Sequence, residues 1–191
     1  MRLDTWDETA AIHYDRQLWN ELVSLRFLDG PHGALLLGPV GKTHLASALG
    51  HIAIRRRRTV HMASAGKLFK KLKAARLDNS LDAEMRRLAG IELLILDDFA
   101  LQPLDAMETA DFYQLCVERH RKAATIVTSN RTAEEWLTMM ADPLLAQSAV
   151  DRLASTAHEL VIEGESYRRR QKPAIASSAS IDPENGDHHD Q

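Results

Sequence analysis

The chain has 191 residues, with 24 Lys+Arg against 27 Asp+Glu for a formal net charge of −3, and is 45% hydrophobic and 27% charged. That balance fits a folded globular domain of ordinary size and excludes a largely disordered chain. The longest apolar runs, at 34–37 and 93–96, fall far short of the roughly 20 residues that cross a bilayer. The first residues, MRLDTWDE, lack the basic-then-apolar order of a secretory signal, and the single cysteine, Cys116, excludes a disulfide framework and a multi-cysteine zinc site. A reducing cytoplasm is the expected compartment, with no membrane partner.

Residues 1–30 read as an N-terminal flank that packs on the core. ALLLG (34–38) is a short apolar strand closed by glycine. A helical pattern follows over 43–57, with Leu45, Leu49, Ile52 and Ala53 on one face. TVHMAS (59–64) is a second strand, 66–77 an amphipathic helix, and 79–90 a helix closed by Gly90. IELLIL (91–96) is a buried strand, 104–122 a long helix, ATIVTSN (124–130) a fourth strand, 143–156 a helix and HELVIEG (158–164) a last strand. Strands separated by helices predict an α/β fold with a parallel sheet covered on both faces. From residue 174 the chain carries four acids, no Lys or Arg and few large apolar residues. It reads as a disordered acidic tail over 174–191, which leaves the rest of the chain close to neutral.

The first chemical signal is Gly38-Pro39-Val40-Gly41-Lys42-Thr43. It ends a strand and opens a helix, the context a phosphate-binding loop requires. Gly38 and Gly41 let backbone N–H groups approach phosphate oxygens, and the helix N-terminus adds partial positive charge. Lys42 reaches the outer phosphates and the Thr43 hydroxyl reaches Mg²⁺. The spacing departs from the usual pattern of four residues between the first Gly and Gly-Lys-Thr, because only Pro39 and Val40 intervene. At roughly 3.6 Å per residue the arc is short by about 7 Å, and Pro39 has no N–H to donate. Either the strand end or the first helical turn unwinds, or the cradle is incomplete. An ordinary glycine-rich turn is the plain alternative.

The second signal is Leu93-Leu94-Ile95-Leu96 followed by Asp97 and Asp98. A buried strand ending in two carboxylates suits a metal and water site: Asp97 holds Mg²⁺ and Asp98 polarises the attacking water. The alternative is an acidic strand cap. A third signal is Thr128-Ser129-Asn130, where Asn130 falls at a strand's carboxyl end, the usual ligand edge of an open α/β sheet. Arg152, in Val-Asp-Arg-Leu, and Arg168, in Tyr-Arg-Arg-Arg, supply always-charged planar donors suited to phosphate, or else solvated surface charge. The Arg55–Arg58 run closes a helix and suits its dipole, with DNA-backbone contact as the alternative. Cys116 lies on an apolar helix face and reads as core.

Taken in order, LLLGPVGKTHLASALG, LLILDDFALQPLD, TIVTSN, DPLLAQSAVDRL and VIEGESYRRR resemble the IstB-like ATP-binding proteins. These are AAA+ ATPases that assist a transposase and are similar to the DnaC helicase loaders. The resemblance spans nearly all of 1–172 and implies a three-layer P-loop NTPase with a mostly parallel five-stranded sheet, its ATP-binding domain over 31–173. It implies ATP and Mg²⁺ as cofactors, with Lys42 and Thr43 as the Walker A pair, Asp97 and Asp98 as Walker B and Asn130 as sensor 1. Arg152 looks like the arginine finger acting on a neighbour's ATP, and Arg168 like sensor 2 acting in its own subunit. The implied partners are duplex DNA bound without sequence preference, a transposase, and further copies of the chain assembled on DNA. Two departures stand out. A Val-Gly pair is absent relative to Gly-Pro-x-Gly-x-Gly-Lys-Thr, and the helical N-terminal region of family members is expected to be lacking ahead of the core. Three functions follow: a transposition ATPase, a helicase loader on single-stranded DNA in replication, and a non-hydrolysing remnant that keeps the fold. The low aromatic content, 5%, disfavours the base-stacking platform of a single-strand binder.

Overall fold

The computed structural model describes residues 12–30 and 32–164. The strands are β1 (Ile12–His13), β2 (Gly33–Leu37), β3 (Val60–Ser64), β4 (Leu93–Asp97), β5 (Ala124–Ser129), β6 (Ala157–Val161) and β7 (Glu163–Gly164). The α-helices are α1 (Arg16–Ser24), α2 (Lys42–Arg55), α3 (Ala65–Leu77), α4 (Leu81–Ala89), α5 (Ala106–Arg119), α6 (Ala133–Thr138) and α7 (Pro143–Ala154). Five strands form one sheet in the order β3-β4-β5-β2-β6, and every pairing in it is parallel. The expected α/β architecture is therefore present. Gly33–Leu37 and Leu93–Asp97 are buried along their whole length, as continuous apolar runs inside a covered parallel sheet must be.

The two faces of the sheet carry separate cores. Leu35, Leu37, Leu94, Leu96 and Val127 face Leu68, Leu72, Leu88, Phe112, Trp136 and Val150 from α3 to α7. Ala34, Leu36, Leu93, Ile95 and Ile126 face α1 and α2 through Trp19, Leu22, Leu45 and Leu49. Alternating residues of one strand thus serve opposite layers. Leu25 and Phe27, which follow α1, belong to this second core.

Local chemistry explains the boundaries. Asp15 caps α1, its carboxylate accepting from the N–H groups of Gln17 and Leu18 at 2.8 and 3.0 Å. Reciprocal capping boxes start α5 (Asp105 with Glu108) and α6 (Thr132 with Glu135). Asp142 caps α7, with Pro143 in its first turn. The segment expected as a single last strand is two. β6 ends at Val161, the Ile162 N–H donates to the Leu37 carbonyl at 2.7 Å, and β7 turns away to pair antiparallel with β1. Ile162 thereby passes directly alongside the end of β2. Among the described residues, no helix is long and apolar enough to cross a membrane. The acidic segment 174–191 lies outside the described residues.

Candidate functional site

The sheet order sets the carboxyl ends of β4, β5 and β2 side by side, and the sequence signals converge there. Gly38 leaves β2 at φ +125°, its N–H donating to the Ser129 carbonyl at 3.1 Å. A Cβ at this position would stand 2.0 Å from the carbonyl oxygen of Ile162, so only glycine fits. Gly41, at φ 72°, starts α2 and supplies no side-chain cap. Four residues, 38–41, therefore join strand to helix. Neither unwinding takes place: β2 runs to Leu37 and α2 begins at Lys42, and two positive-φ glycines close the shorter arc, which leaves the incomplete cradle of the three alternatives drawn from the contour.

Lys42 is buried, and its ammonium donates to Asn130 Oδ1 at 2.5 Å across 88 residues of sequence. The Thr43 hydroxyl donates to Asp97 Oδ1 at 2.9 Å. The same oxygen accepts from the Thr128 hydroxyl at 2.6 Å, and Thr128 Oγ1 in turn accepts the Asp98 N–H at 3.0 Å. Asp97 is 8% exposed and Thr128 fully buried. A buried carboxylate needs hydrogen bonds or opposite charge, and two hydroxyls supply the bonds here. Asp98 is exposed and sits in the left-handed region at φ 55°, as does Ala100 at φ 54°.

That turn is pinned from β5. The Phe99 N–H donates to the Thr128 carbonyl at 2.8 Å, and the Ser129 hydroxyl donates to the Phe99 carbonyl at 2.8 Å. Trp136 Nε1 donates to Ser129 Oγ at 3.0 Å. Trp136 and Phe99 meet edge to face at 4.9 Å between ring centroids. Thr128 and Ser129 stood in the sequence signal only as the residues leading to Asn130, with no role of their own, and Trp136 was not part of any signal. The alternation of a buried strand hides its last hydroxyls, whereas Thr132-x-x-Glu135 was a visible capping signal for the helix that carries Trp136.

The structure brings together Gly38, Gly41, Lys42, Thr43, Asp97, Asp98 and Asn130. It does not bring Arg152 to them. Arg152 lies near the C-terminus of α7, on a small cavity of about 30 Å³ that it shares with Gly33 and Thr125, at the amino ends of β2 and β5. Its guanidinium donates to the carbonyl and hydroxyl of Ser148 and rests 5.7 Å from the Tyr113 ring centroid. His120 Nδ1 donates to the Arg152 carbonyl at 3.1 Å. Cys116 borders the same cavity, and burial pushes its thiol up to about 12. Arg168 lies outside the described residues.

As a donor set the convergent residues suit a polyphosphate with a divalent cation. A buried ammonium, the N-terminus of a 14-residue helix and a hydroxyl–carboxylate pair meet at one sheet edge. The Gly38 N–H is spent on the Ser129 carbonyl and the space of a Gly38 side chain is filled by the Ile162 carbonyl, so the loop's remaining donors are those of Val40, Gly41 and the first turn of α2.

Comparison with known proteins agrees. The family model described as IstB-like ATP binding protein matches residues 2–175. An insertion-sequence ATP-binding protein of Mycobacterium tuberculosis is 34% identical over 178 residues, covering 92% of this chain and 71% of that protein. The ATP-binding protein of insertion sequence IS21 from Pseudomonas aeruginosa is 36% identical over 172 residues, covering 89% and 65%. This chain thus spans about two thirds of the length of such relatives. Among solved structures, DnaI superposes with a TM-score of 0.71 at 20% identity, covering 85% of this chain and 90% of that one. The DnaC helicase loader superposes at 0.67 and 18%, covering 77% and 87%. At those identities the likeness is one of fold.

Proposed function

The chain belongs to the IstB-like ATP-binding protein family, and from that premise we propose that it is an ATP-binding helper of DNA transposition whose nucleotide site is the cluster at the carboxyl ends of β2, β4 and β5. The observation that carries this reading is the joining of Lys42 to Asn130 and of Thr43 to Asp97 across the sheet. We take 31–173 as the ATP-binding domain, with 1–30 as a flank packed on it.

In this reading Lys42 neutralises the outer phosphates, and the main chain at Gly38 and Gly41 lies along them. Thr43 and Asp97 are the ligands offered to Mg²⁺, which when bound supplies charge neutralisation on the phosphates. Thr128 orients Asp97. Asp98, on its pinned turn, is the carboxylate that accepts a proton from water, and Asn130 orients that water. Arg152 acts in trans on a neighbouring copy and Arg168 in cis, so ATP couples to assembly on duplex DNA and to the partner transposase. Phosphate contacts then give binding without sequence preference.

The test is assembly on duplex DNA, followed by light scattering with and without MgATP. Wild type is expected to assemble in an ATP-dependent manner, and Lys42→Ala to lose that dependence. Assembly unaffected by Lys42→Ala overturns the nucleotide reading. A second reading, a nucleotide-blind remnant of the fold, is favoured by the four-residue loop with its donor-less Pro39. It requires assembly that ignores ATP in wild type as well.

A further inference from the structure

Beside the Lys42–Asn130 contact opens a second cavity, of about 190 Å³, lined by Asp98, Phe99, Ala100, Leu101, Asn130, Arg131 and Glu135. Arg131 follows Asn130 directly and is half-buried. Its backbone N–H donates to Ser129 Oγ at 3.1 Å, and its Nε donates to the Ala100 carbonyl at 3.2 Å. The guanidinium is thus mounted by one edge on the same turn that carries Asp98. Among the described residues its two terminal nitrogens have no hydrogen-bond or ion-pair partner, although Asp98 and Glu135 line the same cavity. A planar cationic fork with two unspent donor groups therefore fronts a cavity whose other polar groups are Asp98, Asn130 and Glu135. Two carboxylates make that cavity hostile to an anion unless a cation faces it as well.

We propose that Arg131 is a binding residue for the terminal phosphate of ATP, acting within its own subunit and separating ATP from ADP. The inference rests on the nucleotide reading above and deepens it. Guanidinium geometry matches phosphate oxygens in a forked, charge-assisted contact. Asn130 lines the same cavity as Arg131 and accepts from the ammonium assigned to the outer phosphates, so the cavity adjoins the end of the site where those phosphates would lie. A residue that served only to pin the turn needs Nε alone. It would influence both nucleotides through Asp98 and the loop, without preference.

The experiment is calorimetric titration of wild type, Arg131→Gln and Arg131→Lys with Mg²⁺ and either ADP or the β,γ-methylene analogue of ATP. Thermal melts of each variant run in parallel. Loss of one charge-assisted contact is expected to weaken the triphosphate about tenfold in Arg131→Gln, with ADP affinity within twofold of wild type. Arg131→Lys keeps the charge but not the fork, so the ratio of triphosphate to ADP affinity is expected to fall by a smaller factor. Equal losses for both nucleotides, or no loss for either, overturn the assignment and leave Arg131 a turn-holding residue. If Arg131→Gln fails to fold, the ratio in Arg131→Lys decides, and an unchanged ratio overturns it. A wild-type chain that binds neither nucleotide refutes the nucleotide site itself, and Arg131's role with it.

Discussion

Thr128→Val is the sharpest probe of how the candidate site is held. The substitution keeps the side-chain volume and suits a strand, so it opens no cavity. It removes one hydroxyl that makes two contacts: donation to Asp97 Oδ1 at 2.6 Å and acceptance of the Asp98 N–H at 3.0 Å. Thr128 is fully buried and Asp97 is 8% exposed, so water does not replace the bond to the carboxylate. Losing a hydrogen bond to a charged group costs roughly 1.5–3 kcal/mol. The Asp98 amide is only partly buried, so its lost partner adds about 1 kcal/mol. The expected destabilisation is about 3 kcal/mol. With a urea slope of about 1–3 kcal/mol/M, the midpoint of urea unfolding should fall by about 1–3 M. Thr128→Ser, which keeps the hydroxyl, should recover most of the loss. A Thr128→Val midpoint within about 0.3 M of wild type, or equal losses in Val and Ser, would refute the claim that this hydroxyl ties the two aspartates to β5.

Glu84 lies 12% exposed between Arg87 and Lys71, accepting from Arg87 Nε and Nη2 at 2.9 and 2.7 Å and from Lys71 Nζ at 2.9 Å. The Arg87 hydrogen bonds, aided by Lys71, hold its carboxyl at about 2 against an ordinary 4.5. A depressed carboxylate stabilises the fold above its unfolded value and loses that contribution as pH falls toward the folded one. Glu84→Gln should therefore cost about 1–2 kcal/mol near pH 7, allowing for the solvent around both cations. The difference from wild type in urea unfolding should disappear between about pH 4.5 and 2; a difference independent of pH contradicts the pairing. Gly38→Ala must displace the Ile162 carbonyl that its Cβ would meet at 2.0 Å. It should cost about 3 kcal/mol or more in thermal unfolding. Gly66→Ala, on an exposed turn of α3 where a Cβ meets nothing within 4 Å, should be neutral or stabilise by up to about 1 kcal/mol. Similar behaviour of the two variants would count against the close approach at Gly38.

The sheet and the long helices were legible because their signals are local. Apolar runs such as 93–96 read as buried strands, and 3.6-residue spacing marks α2 and α3. The convergence of Lys42 with Asn130 was legible only as the rule that ligands gather at strand carboxyl ends. The bond itself spans 88 residues and depends on β5 lying beside β2. Helix α6 escaped because six residues are too few for a periodic pattern, although its Thr132–Glu135 capping box was in view. The break at Ile162 has no local sign: the ladder with β2 ends where Gly38 turns away from the sheet, and Glu163 and Gly164 pair instead with β1. The short Gly38–Gly41 arc was legible as a departure from the usual spacing. Its closure by two left-handed glycines, instead of by unwinding, follows from the Ile162 backbone already occupying the space where a Gly38 side chain would go.

On the proposed reading, the four-residue loop and the residues around it still make a nucleotide site. The most direct measurement is titration calorimetry of MgATP into this chain, with a version carrying Val-Gly inserted after Val40 alongside it. Micromolar binding is expected in the chain as it stands, little changed by the insertion and lost in Lys42→Ala. Binding that appears only after the insertion would contradict that reading, and would leave the cluster of Lys42, Thr43, Asp97 and Asn130 as the preserved frame of a site that no longer takes ATP.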